Sequence, residues 1–347
     1  MTTSRMRAEI DEQPDALART IEALLPRASD VGLLARDTRQ VLFIARGSSD
    51  NAAVYGRYLV ESHTGRLATL AAPSIATAYR SRVDLSGVLA VAISQSGKTE
   101  EIVETLAWAA DCGARTVAVT NGAASPLAEA AEVALITEAG DELAVPATKT
   151  YTTQLAALAV LALGLGARVD RADLRRAPDE VRRLIAETEA HEALPAIVAE
   201  LAAVQGVVVS GRGIAFGTAL ELALKIKEAC YLHAMGLSYA DLLHGPIAVV
   251  DERTPALLVA ADSGPTLPGT IALARRVRGA GARAYGIGGG DGLAGACSRA
   301  LPGPDLPEWV APLGLIVPGQ LVVEALARDL GVDPDVPRGL NKVTQTD

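Results

Sequence analysis

Val88-Leu-Ala-Val-Ala-Ile-Ser94-Gln-Ser-Gly-Lys-Thr99 joins a continuous apolar run to a turn rich in hydroxyl groups. The apolar part is typical of a strand buried on both faces of a parallel sheet. Residues 101–107 then carry apolar positions at helical spacing. The stretch therefore predicts a buried strand, a turn and a helix N-terminus, where hydroxyls and backbone N–H groups can bind a phosphate.

Two nucleotide-binding motifs come close to matching and fail on spacing. A P-loop that ended in Gly97-Lys98-Thr99 would need a glycine five positions before Gly97, where this chain has Ala92. In the second half of the chain, Gly211 and Gly213 match the first two glycines of the dinucleotide-binding fingerprint G-x-G-x-x-G. The third glycine, Gly217, comes one residue too late. The turn at Gly97 is thus predicted to hold one phosphate group, and an ordinary polar turn is the alternative.

The composition narrows the class of protein. The chain has 347 residues, half of them hydrophobic, and a net charge of −9. This size predicts one large domain or two ordinary ones, and the charge argues against a nucleic-acid or anionic-membrane partner. The apolar run at residues 155–167 is too short to span a bilayer and predicts a buried helix.

The cysteines and histidines show no pattern of pairing or of metal ligation. Cys112, Cys230 and Cys297 are scattered, and the four histidines have no metal-site spacing. This usage predicts a reduced, cytoplasmic protein with no metal site and no cofactor. The N-terminal residues also lack the apolar core of a signal peptide.

Strand patterns alternate with helical patterns along the whole chain. They lie at residues 41–45, 67–70, 88–93, 116–120, 133–137, 206–211, 256–261 and 281–287. This alternation predicts an α/β fold with parallel sheets and helices on both faces. Ligands of such sheets bind at the carboxyl ends of the strands, where Gly47–Ser49 and Ser94–Thr99 both lie.

The two halves of the chain repeat the same landmarks. Arg46-Gly47 recurs as Arg212-Gly213, Ser96-Gly97 as Ser263-Gly264, and Gly113-Ala-Arg115 as Gly281-Ala-Arg283, at offsets of 166, 167 and 168 residues. We interpret this as a tandem repeat of two doubly wound domains. The second copy has Ile214-Ala215 in place of Ser48-Ser49, so we expect it to have lost the phosphate site. The predicted segments are an N-terminal helical segment (1–25), a first domain (26–168), a helical linker (169–195), a second domain (196–335) and a C-terminal tail (336–347).

The candidate acid–base residues lie in the second half. Glu221, Lys225 and Glu228 share one face of a predicted helix. Residues 231–243 look irregular and lead to His244, which precedes an apolar strand predicted at 247–250. Carboxylate, lysine and histidine within one span could form an acid–base set. A solvated helix face with intrahelical ion pairs is the alternative, and the alternative for the proline-rich end of the chain is a frayed tail.

Taken together, these motifs resemble the sugar isomerase (SIS) family, whose domains are flavodoxin-like. The resemblance is closest to the isomerase part of glucosamine-6-phosphate synthase and to the type II glucosamine-6-phosphate deaminases. The motifs that carry it are Glu9-Ile-Asp-Glu-Gln-Pro14, Gly47-Ser-Ser49, Ser94-Gln-Ser-Gly-Lys-Thr99, Glu142-Leu-Ala-Val145-Pro-Ala-Thr148-Lys149-Thr150, Leu224-Lys-Ile-Lys-Glu228, His244-Gly-Pro246 and Pro337-Arg-Gly-Leu-Asn-Lys342.

The resemblance implies a role for each matching residue. The sugar phosphate would be bound by Ser48, Ser49, Ser94, Gln95, Ser96, Thr99 and Val145. Glu228 would move a proton between C1 and C2, with Lys225 as a supporting lysine. His244 would open the sugar ring from a neighbouring subunit, which implies at least a homodimer, and Lys342 would form a Schiff base with the open-chain ketose.

The expected activity is that of an aldose–ketose isomerase and deaminase acting on an amino-sugar 6-phosphate. Since the chain starts at the family's linker and has no cysteine before Cys112, we do not expect it to make ammonia from glutamine by itself. Pro146-Ala147 and the residues Tyr239–Leu243 depart from the family pattern, which leaves the substrate open. The alternatives are a synthase supplied by a separate glutaminase, a deglycase for another amine-linked sugar phosphate, and a sugar-phosphate sensor without enzymatic activity.

Overall fold

A computed structural model describes residues 3–342, which contain two five-stranded parallel sheets with flanking helices. The strands are β1 (Gln40–Ile44), β2 (Leu67–Leu70), β3 (Val88–Ile93), β4 (Arg115–Thr120), β5 (Val133–Ile136), β6 (Gly206–Gly211), β7 (His233–Ser238), β8 (Ala256–Ala260), β9 (Ala284–Gly288) and β10 (Arg299–Leu301). The helices are α1 (Arg5–Asp11), α2 (Gln13–Leu24), α3 (Ala28–Leu34), α4 (Ser48–Thr64), α5 (Ser74–Thr77), α6 (Glu100–Asp111), α7 (Pro126–Ala130), α8 (Lys149–Gly164), α9 (Arg171–Ala190), α10 (Ala193–Ala202), α11 (Phe216–Cys230), α12 (Tyr239–Leu243), α13 (Leu267–Gly279), α14 (Gly290–Ala296) and α15 (Pro312–Asp329). Short 3₁₀ helices lie at Leu25–Arg27, Gly213–Ala215 and Pro246–Val249.

Both sheets have the same strand order. The first is β2-β1-β3-β4-β5 and the second is β10-β9-β8-β6-β7, with all strands parallel. When each half is numbered from its own first strand, both read 2-1-3-4-5, the doubly wound order of flavodoxin-like folds. The predicted fold class, a tandem repeat of two doubly wound α/β domains, is confirmed.

The apolar runs build the core of each sheet as the sequence predicts. Every residue of β3 is buried, as expected for a central strand covered by helices on both faces. The apolar run from Leu155 lies largely in α8, whose buried residues pack against α4. None of the helices within residues 3–342 is both long and apolar enough to cross a membrane.

The contacts divide the chain into two compact units, each with one sheet. The first-sheet unit consists of Asp15–Glu142 and Lys149–Arg175 and, among the described residues, Asn341 and Lys342. The second-sheet unit consists of the chain up to Pro14, Leu143–Thr148 and Arg176–Leu340. The segment boundaries inferred from the sequence remain a prediction, and residues 1–2 and 343–347 of the predicted end segments lie outside the described residues.

Two local predictions around His244 are wrong. Residues 231–243 are not irregular, because β7 pairs along its whole length with β6 and α12 follows it directly. The apolar run at 247–250 forms a 3₁₀ helix rather than a strand, with Pro246 at its first position. Proline favours a helix start, since its fixed φ suits the first turn and its missing N–H has no partner to lose there.

Candidate functional site

The first-sheet unit brings two polar turns to the same edge of its sheet. β1 and β3 are neighbours in parallel register, with Ile44 opposite Ala92. The turns that follow these strands, Gly47–Ser49 and Ser94–Thr99, therefore emerge side by side. α4 begins at Ser48 and α6 begins directly after Thr99. Two helix N-termini thus lie at one edge, and the positive dipole end of a helix attracts an anion.

The backbone of the turn after β3 depends on Gly97. Its φ of +64° is in the left-handed region, and a Cβ there would lie 2.1 Å from Ser125 Oγ and 2.8 Å from Thr120 Oγ1. Within the turn, Gly97 N donates to Ser94 O at 3.2 Å, while Gly97 O accepts from Leu127 N at 3.1 Å. Only glycine fits both the conformation and the space, so the tight turn depends on this residue.

The predicted phosphate ligands lie in these two turns. Ser94 Oγ and Thr99 Oγ1 are 3.5 Å apart, and Ser96 Oγ accepts a hydrogen bond from Lys98 N at 3.2 Å. Ser49 is buried and Ser48 is half-buried, and among the described residues neither hydroxyl has a hydrogen-bond partner. The half-buried Gln95 is fixed through its backbone, since its carbonyl oxygen accepts from Asn121 N at 3.0 Å.

An ion pair links the two turns. Arg46 Nε and Nη2 each lie 3.0 Å from a carboxylate oxygen of Glu101 in the first turn of α6. Asp50 lies nearby in the first turn of α4, where burial raises the pKa of its carboxyl group and the charge of Arg46 opposes that effect. Because Glu101 neutralises Arg46, we assign the attraction for a phosphate to the helix N-termini and the hydroxyls.

The corresponding edge of the second sheet has a similar backbone without these ligands. Gly213 and Gly264 also have positive φ, +62° and +116°. Ile214 and Ala215 are buried and apolar where the first copy has serines. The Glu308 carboxylate lies so close to Gly264 that a Cβ there would fall 2.4 Å from Glu308 Cδ. A carboxylate at this position disfavours an anion, in agreement with the expectation from the sequence.

On α11, a buried lysine lies between two carboxylates. The side chains of Lys225 and Glu221 are 1% and 0% exposed, and Lys225 Nζ lies 3.5 Å from Glu221 Oε1. Lys225 also donates to Glu228, whose side chain is 22% exposed. The alternative of a solvated helix face is wrong for Glu221 and Lys225, because both side chains are buried. Their ion pairs offset the free energy that burial of a charge costs. Glu228 alone of the three keeps a surface that a substrate can reach.

His244 is exposed directly after α12. The Ser238 hydroxyl caps the N-terminus of this helix, because it accepts from Asp241 N at 3.2 Å and donates to the Asp241 carboxylate. His244 N donates to Asp241 O at 3.1 Å, whereas the imidazole has no hydrogen-bond partner within residues 3–342. The residues that depart from the family pattern before His244 thus build a capped helix that fixes its backbone.

Lys342 forms an ion pair with Glu142, a residue for which no role was predicted. Lys342 Nζ donates to Glu142 Oε2 at 2.6 Å, and both residues belong to the first-sheet unit. Glu142 also accepts from Thr150 N at 3.0 Å and from Thr150 Oγ1 at 2.6 Å. Burial acts to raise the pKa of Glu142, but the charge of Lys342 and the hydrogen bonds from Lys342 and Thr150 hold it below its usual value. The motif around Val145 contained Glu142, but no local pattern reveals a partner 200 residues away.

In the second-sheet unit, the tail before Lys342 is fixed to the loop that carries Val145. Asp335 O accepts from Val145 N at 2.9 Å, and the Asp335 carboxylate accepts from Arg5 N and Met6 N at 2.8 Å each. Arg338 N donates to the Tyr231 hydroxyl at 2.8 Å, and its guanidinium lies over the Tyr231 ring. The frayed-tail alternative is therefore wrong for the tail residues that these contacts hold.

The first motif of the chain supports the same loop. Glu9 is buried in α1 and accepts hydrogen bonds from Leu143 N and Ala144 N. Gln13 Nε2 donates to Gln320 Oε1 at 2.9 Å. These contacts show what Glu9 and Gln13 do in the fold, namely hold residues 143–144 and α15 in place within the second-sheet unit.

The predicted site residues belong to both compact units. The first-sheet unit holds Ser48, Ser49, Ser94, Gln95, Ser96, Thr99 and Lys342, and the second-sheet unit holds Val145, Lys225, Glu228 and His244. Within residues 3–342, no group of three or more His, Cys, Asp or Glu side chains is arranged to hold a metal ion.

Comparison with known proteins shows the family. A profile of the SIS domain matches residues 34–164. The glutamine–fructose-6-phosphate aminotransferase (isomerizing) of Symbiobacterium thermophilum is 36% identical, and the alignment covers 97% of this chain and 58% of that protein. The chain therefore spans little more than half the length of this relative.

Two solved structures match nearly the whole chain. A candidate phosphosugar isomerase from Silicibacter pomeroyi DSS-3 is 34% identical with a TM-score of 0.84, and the match covers 96% of this chain and 100% of that one. The C-terminal domain of the glucosamine-fructose-6-phosphate aminotransferase from Francisella tularensis is 27% identical with a TM-score of 0.85, and the match covers 97% and 99%. With these similarities and its two doubly wound sheets, the chain belongs to the SIS family of sugar isomerases.

Proposed function

We propose that this protein interconverts an amino-sugar 6-phosphate and a ketose 6-phosphate, releasing ammonia from glucosamine 6-phosphate to form fructose 6-phosphate. The observation that carries the proposal is the pairing of the buried Lys225 with the partly exposed Glu228. A binding module has no need of a buried cation that holds a carboxylate beside solvent. An enzyme that moves a proton at carbon does need a fixed carboxylate base.

The phosphate of the substrate is assigned to the edge of the first sheet. Ser48, Ser49, Ser96 and Thr99 supply hydroxyls there, and the N-termini of α4 and α6 supply backbone N–H groups. Hydrogen bonds to a phosphate are charge-assisted and stronger than those between neutral groups. This edge binds and orients the sugar and takes no part in proton transfer.

The chemistry is assigned to residues outside that edge. His244 opens the sugar ring, and Glu228 then transfers a proton between C2 and C1. Lys225 orients the Glu228 carboxylate through their ion pair. In the deaminating direction this proton transfer turns C2 into an imine, the Lys342 amine displaces ammonia from C2 to form an iminium, and water then releases the ketose and the free lysine. In the reverse direction Lys342 forms the same iminium with the ketose carbonyl, whose oxygen leaves as water, and the iminium acidifies the neighbouring C–H bond.

The reverse direction is the second candidate. The relative from Symbiobacterium thermophilum is an aminotransferase, and 36% identity along 97% of this chain favours a shared isomerase chemistry. In that case the protein would use ammonia from a separate glutaminase to aminate a ketose phosphate. A deglycase acting on a sugar phosphate with a substituted amine would use the same residues.

A substrate panel tests the proposed function. We expect the purified protein to release ammonia and a ketose phosphate from glucosamine 6-phosphate, as measured by a coupled ammonia assay and by chromatography of the sugar phosphates. Fructose 6-phosphate with ammonia, and glucosamine 6-phosphate bearing an N-linked amino acid, are the comparison substrates. Faster turnover of either would select the corresponding alternative, and binding without turnover of any member would identify a sensor.

We further propose that the protein is a homodimer in which His244 serves the site of the partner subunit. The exposure of His244 and the absence of a partner for its imidazole within residues 3–342 support this assignment. A Glu228→Gln subunit and a His244→Ala subunit should each be inactive alone. After mixing under subunit exchange, one site in each heterodimer is intact, so about a quarter of the wild-type activity should return. Mixtures that stay inactive although heterodimers form would show that His244 acts within its own chain.

A further inference from the structure

The contact between Lys342 and Glu142 is the strongest feature that the proposed roles leave unexplained. The Glu142 side chain is fully buried, the Lys342 side chain is 25% exposed, and their charged atoms are 2.6 Å apart. A buried carboxylate at this distance is a strong, directional partner for an ammonium group. The pair thus places a fixed negative charge beside the atom to which we assign the Schiff base.

We propose that Glu142 is the counter-ion of the Lys342 iminium and keeps that iminium protonated while the ketose is bound. This inference rests on the proposed function, because it assumes that Lys342 forms the Schiff base. Glu142 is a positioning residue in this scheme, since it acts on the reaction through Lys342.

The charge balance of the covalent step explains why a fixed anion suits it. Lys342 first loses a proton, and its neutral amine attacks the carbonyl carbon of the open-chain ketose to form a C–N bond. The proton returns when the former carbonyl oxygen leaves as water and the C=N bond forms. Overall, an ammonium and a ketone become an iminium and water, so the nitrogen carries one positive charge before and after the step. The carbinolamine between these two states carries no net charge, so the carboxylate stabilises the positive charge that develops as water leaves, and this is the step that Glu142→Gln is expected to slow.

The surroundings of Glu142 keep its carboxylate in place. Thr150, in the first turn of α8, donates to Glu142 from its backbone N–H and from its hydroxyl. A helix N-terminus favours a negative charge, and these hydrogen bonds fix both oxygens of the carboxylate. The anion is thus preorganised, and little reorganisation is needed when the iminium forms.

Trapping of the Schiff base with cyanoborohydride tests the proposal. The protein is incubated with fructose 6-phosphate and cyanoborohydride, and the secondary amine on Lys342 is quantified by peptide mass spectrometry. We expect Glu142→Gln to slow trapping at saturating sugar by about 10- to 100-fold, as befits the loss of a charged hydrogen bond. The dissociation constant for fructose 6-phosphate should change by less than about threefold, since the phosphate ligands are untouched.

Two matched variants separate the charge of Glu142 from its structural contacts. Thr150→Val removes the hydroxyl hydrogen bond to Glu142 but keeps the carboxylate and its hydrogen bond from the Thr150 backbone N–H, so its trapping rate should fall less than that of Glu142→Gln. Glu142→Asp keeps the charge and should recover part of the rate lost in Glu142→Gln. If Thr150→Val were as slow as Glu142→Gln, the role of Glu142 would be structural and the proposal would be wrong.

The outcomes also distinguish this inference from the proposed function. Wild-type protein that turns over its substrate but never yields a Lys342 adduct would remove the Schiff base and the counter-ion together. Wild-type protein that forms the adduct, with Glu142→Gln forming it at the same rate, would overturn only the counter-ion. Circular dichroism of each variant checks that a slow rate does not reflect unfolding.

Discussion

Replacing Glu228 with glutamine is expected to lower kcat on glucosamine 6-phosphate by about 10²- to 10⁴-fold, the usual contribution of a general acid–base group. Glutamine has nearly the same shape, and its amide oxygen can still accept the hydrogen bond from Lys225. The fold and the binding of the sugar phosphate should therefore persist. The dissociation constant, measured by titration calorimetry, should change by less than about threefold.

Glu187→Gln is the matched control for Glu228→Gln. Glu187 is also a helical glutamate within an ion pair, with Arg183, and its side chain is 47% exposed. Exposed ion pairs of this kind contribute about 0–1 kcal/mol to stability, so this variant should retain full activity. A Glu228→Gln enzyme with near wild-type kcat would exclude Glu228 as the base and move that role to another carboxylate.

Gly97→Ala is expected to destroy the proposed phosphate site. The added Cβ would fall 2.1 Å from Ser125 Oγ, and an L-residue at a φ of +64° is strained in any case. Because the Ser125 side chain is buried and fixed as the N-cap of α7, where it accepts from Ala128 N, the turn that carries Ser94, Ser96 and Thr99 must shift. We expect a loss of about 2–4 kcal/mol of stability and a rise in KM for sugar phosphates of at least about 100-fold, the equivalent of two lost charged hydrogen bonds.

Gly65→Ala separates backbone strain from damage to the site. Gly65 has a similar φ of +70°, but a Cβ there would meet no atom within 4 Å. This variant should lose about 1–2 kcal/mol of stability and keep its KM. Thermal unfolding and steady-state kinetics of both variants make the comparison. An unchanged KM in a folded Gly97→Ala protein would show that the turn after β3 does not bind the phosphate.

Much of the fold could be predicted from local patterns. The continuous apolar run of β3 predicted a strand buried on both faces, and every residue of β3 is buried. Since a turn that follows a parallel strand lies at the carboxyl edge of the sheet, the position of the hydroxyls after β3 could also be predicted. The repeated landmarks around Gly47 and Gly213 indicated two domains with the same topology, and the two sheets do have the same strand order. Such inferences succeed because the spacing of buried residues and the need for a left-handed turn are properties of short segments.

Predictions failed where distant contacts decide the local structure. β7 (His233–Ser238) has a weak strand pattern and exists because it pairs with β6. Glu221 and Lys225 have the spacing of a solvated ion pair, yet their side chains are at most 1% exposed. In both cases the local structure depends on contacts with residues far away in the sequence, and a short sequence window does not contain those residues.

The sequence by itself determined the α/β class, the repeat, the hydroxyl-rich turn after β3 and the identity of the candidate acid–base residues. These follow from residue type and spacing, because periodicity sets which face is buried and glycine sets where the chain can turn. Only the tertiary structure decided that Lys225 is buried between two carboxylates, that Asp335 holds the loop of Val145, and that Glu142 pairs with Lys342. Hydrogen bonds and ion pairs between residues far apart in the chain depend on three-dimensional distance, and a linear pattern does not encode that distance.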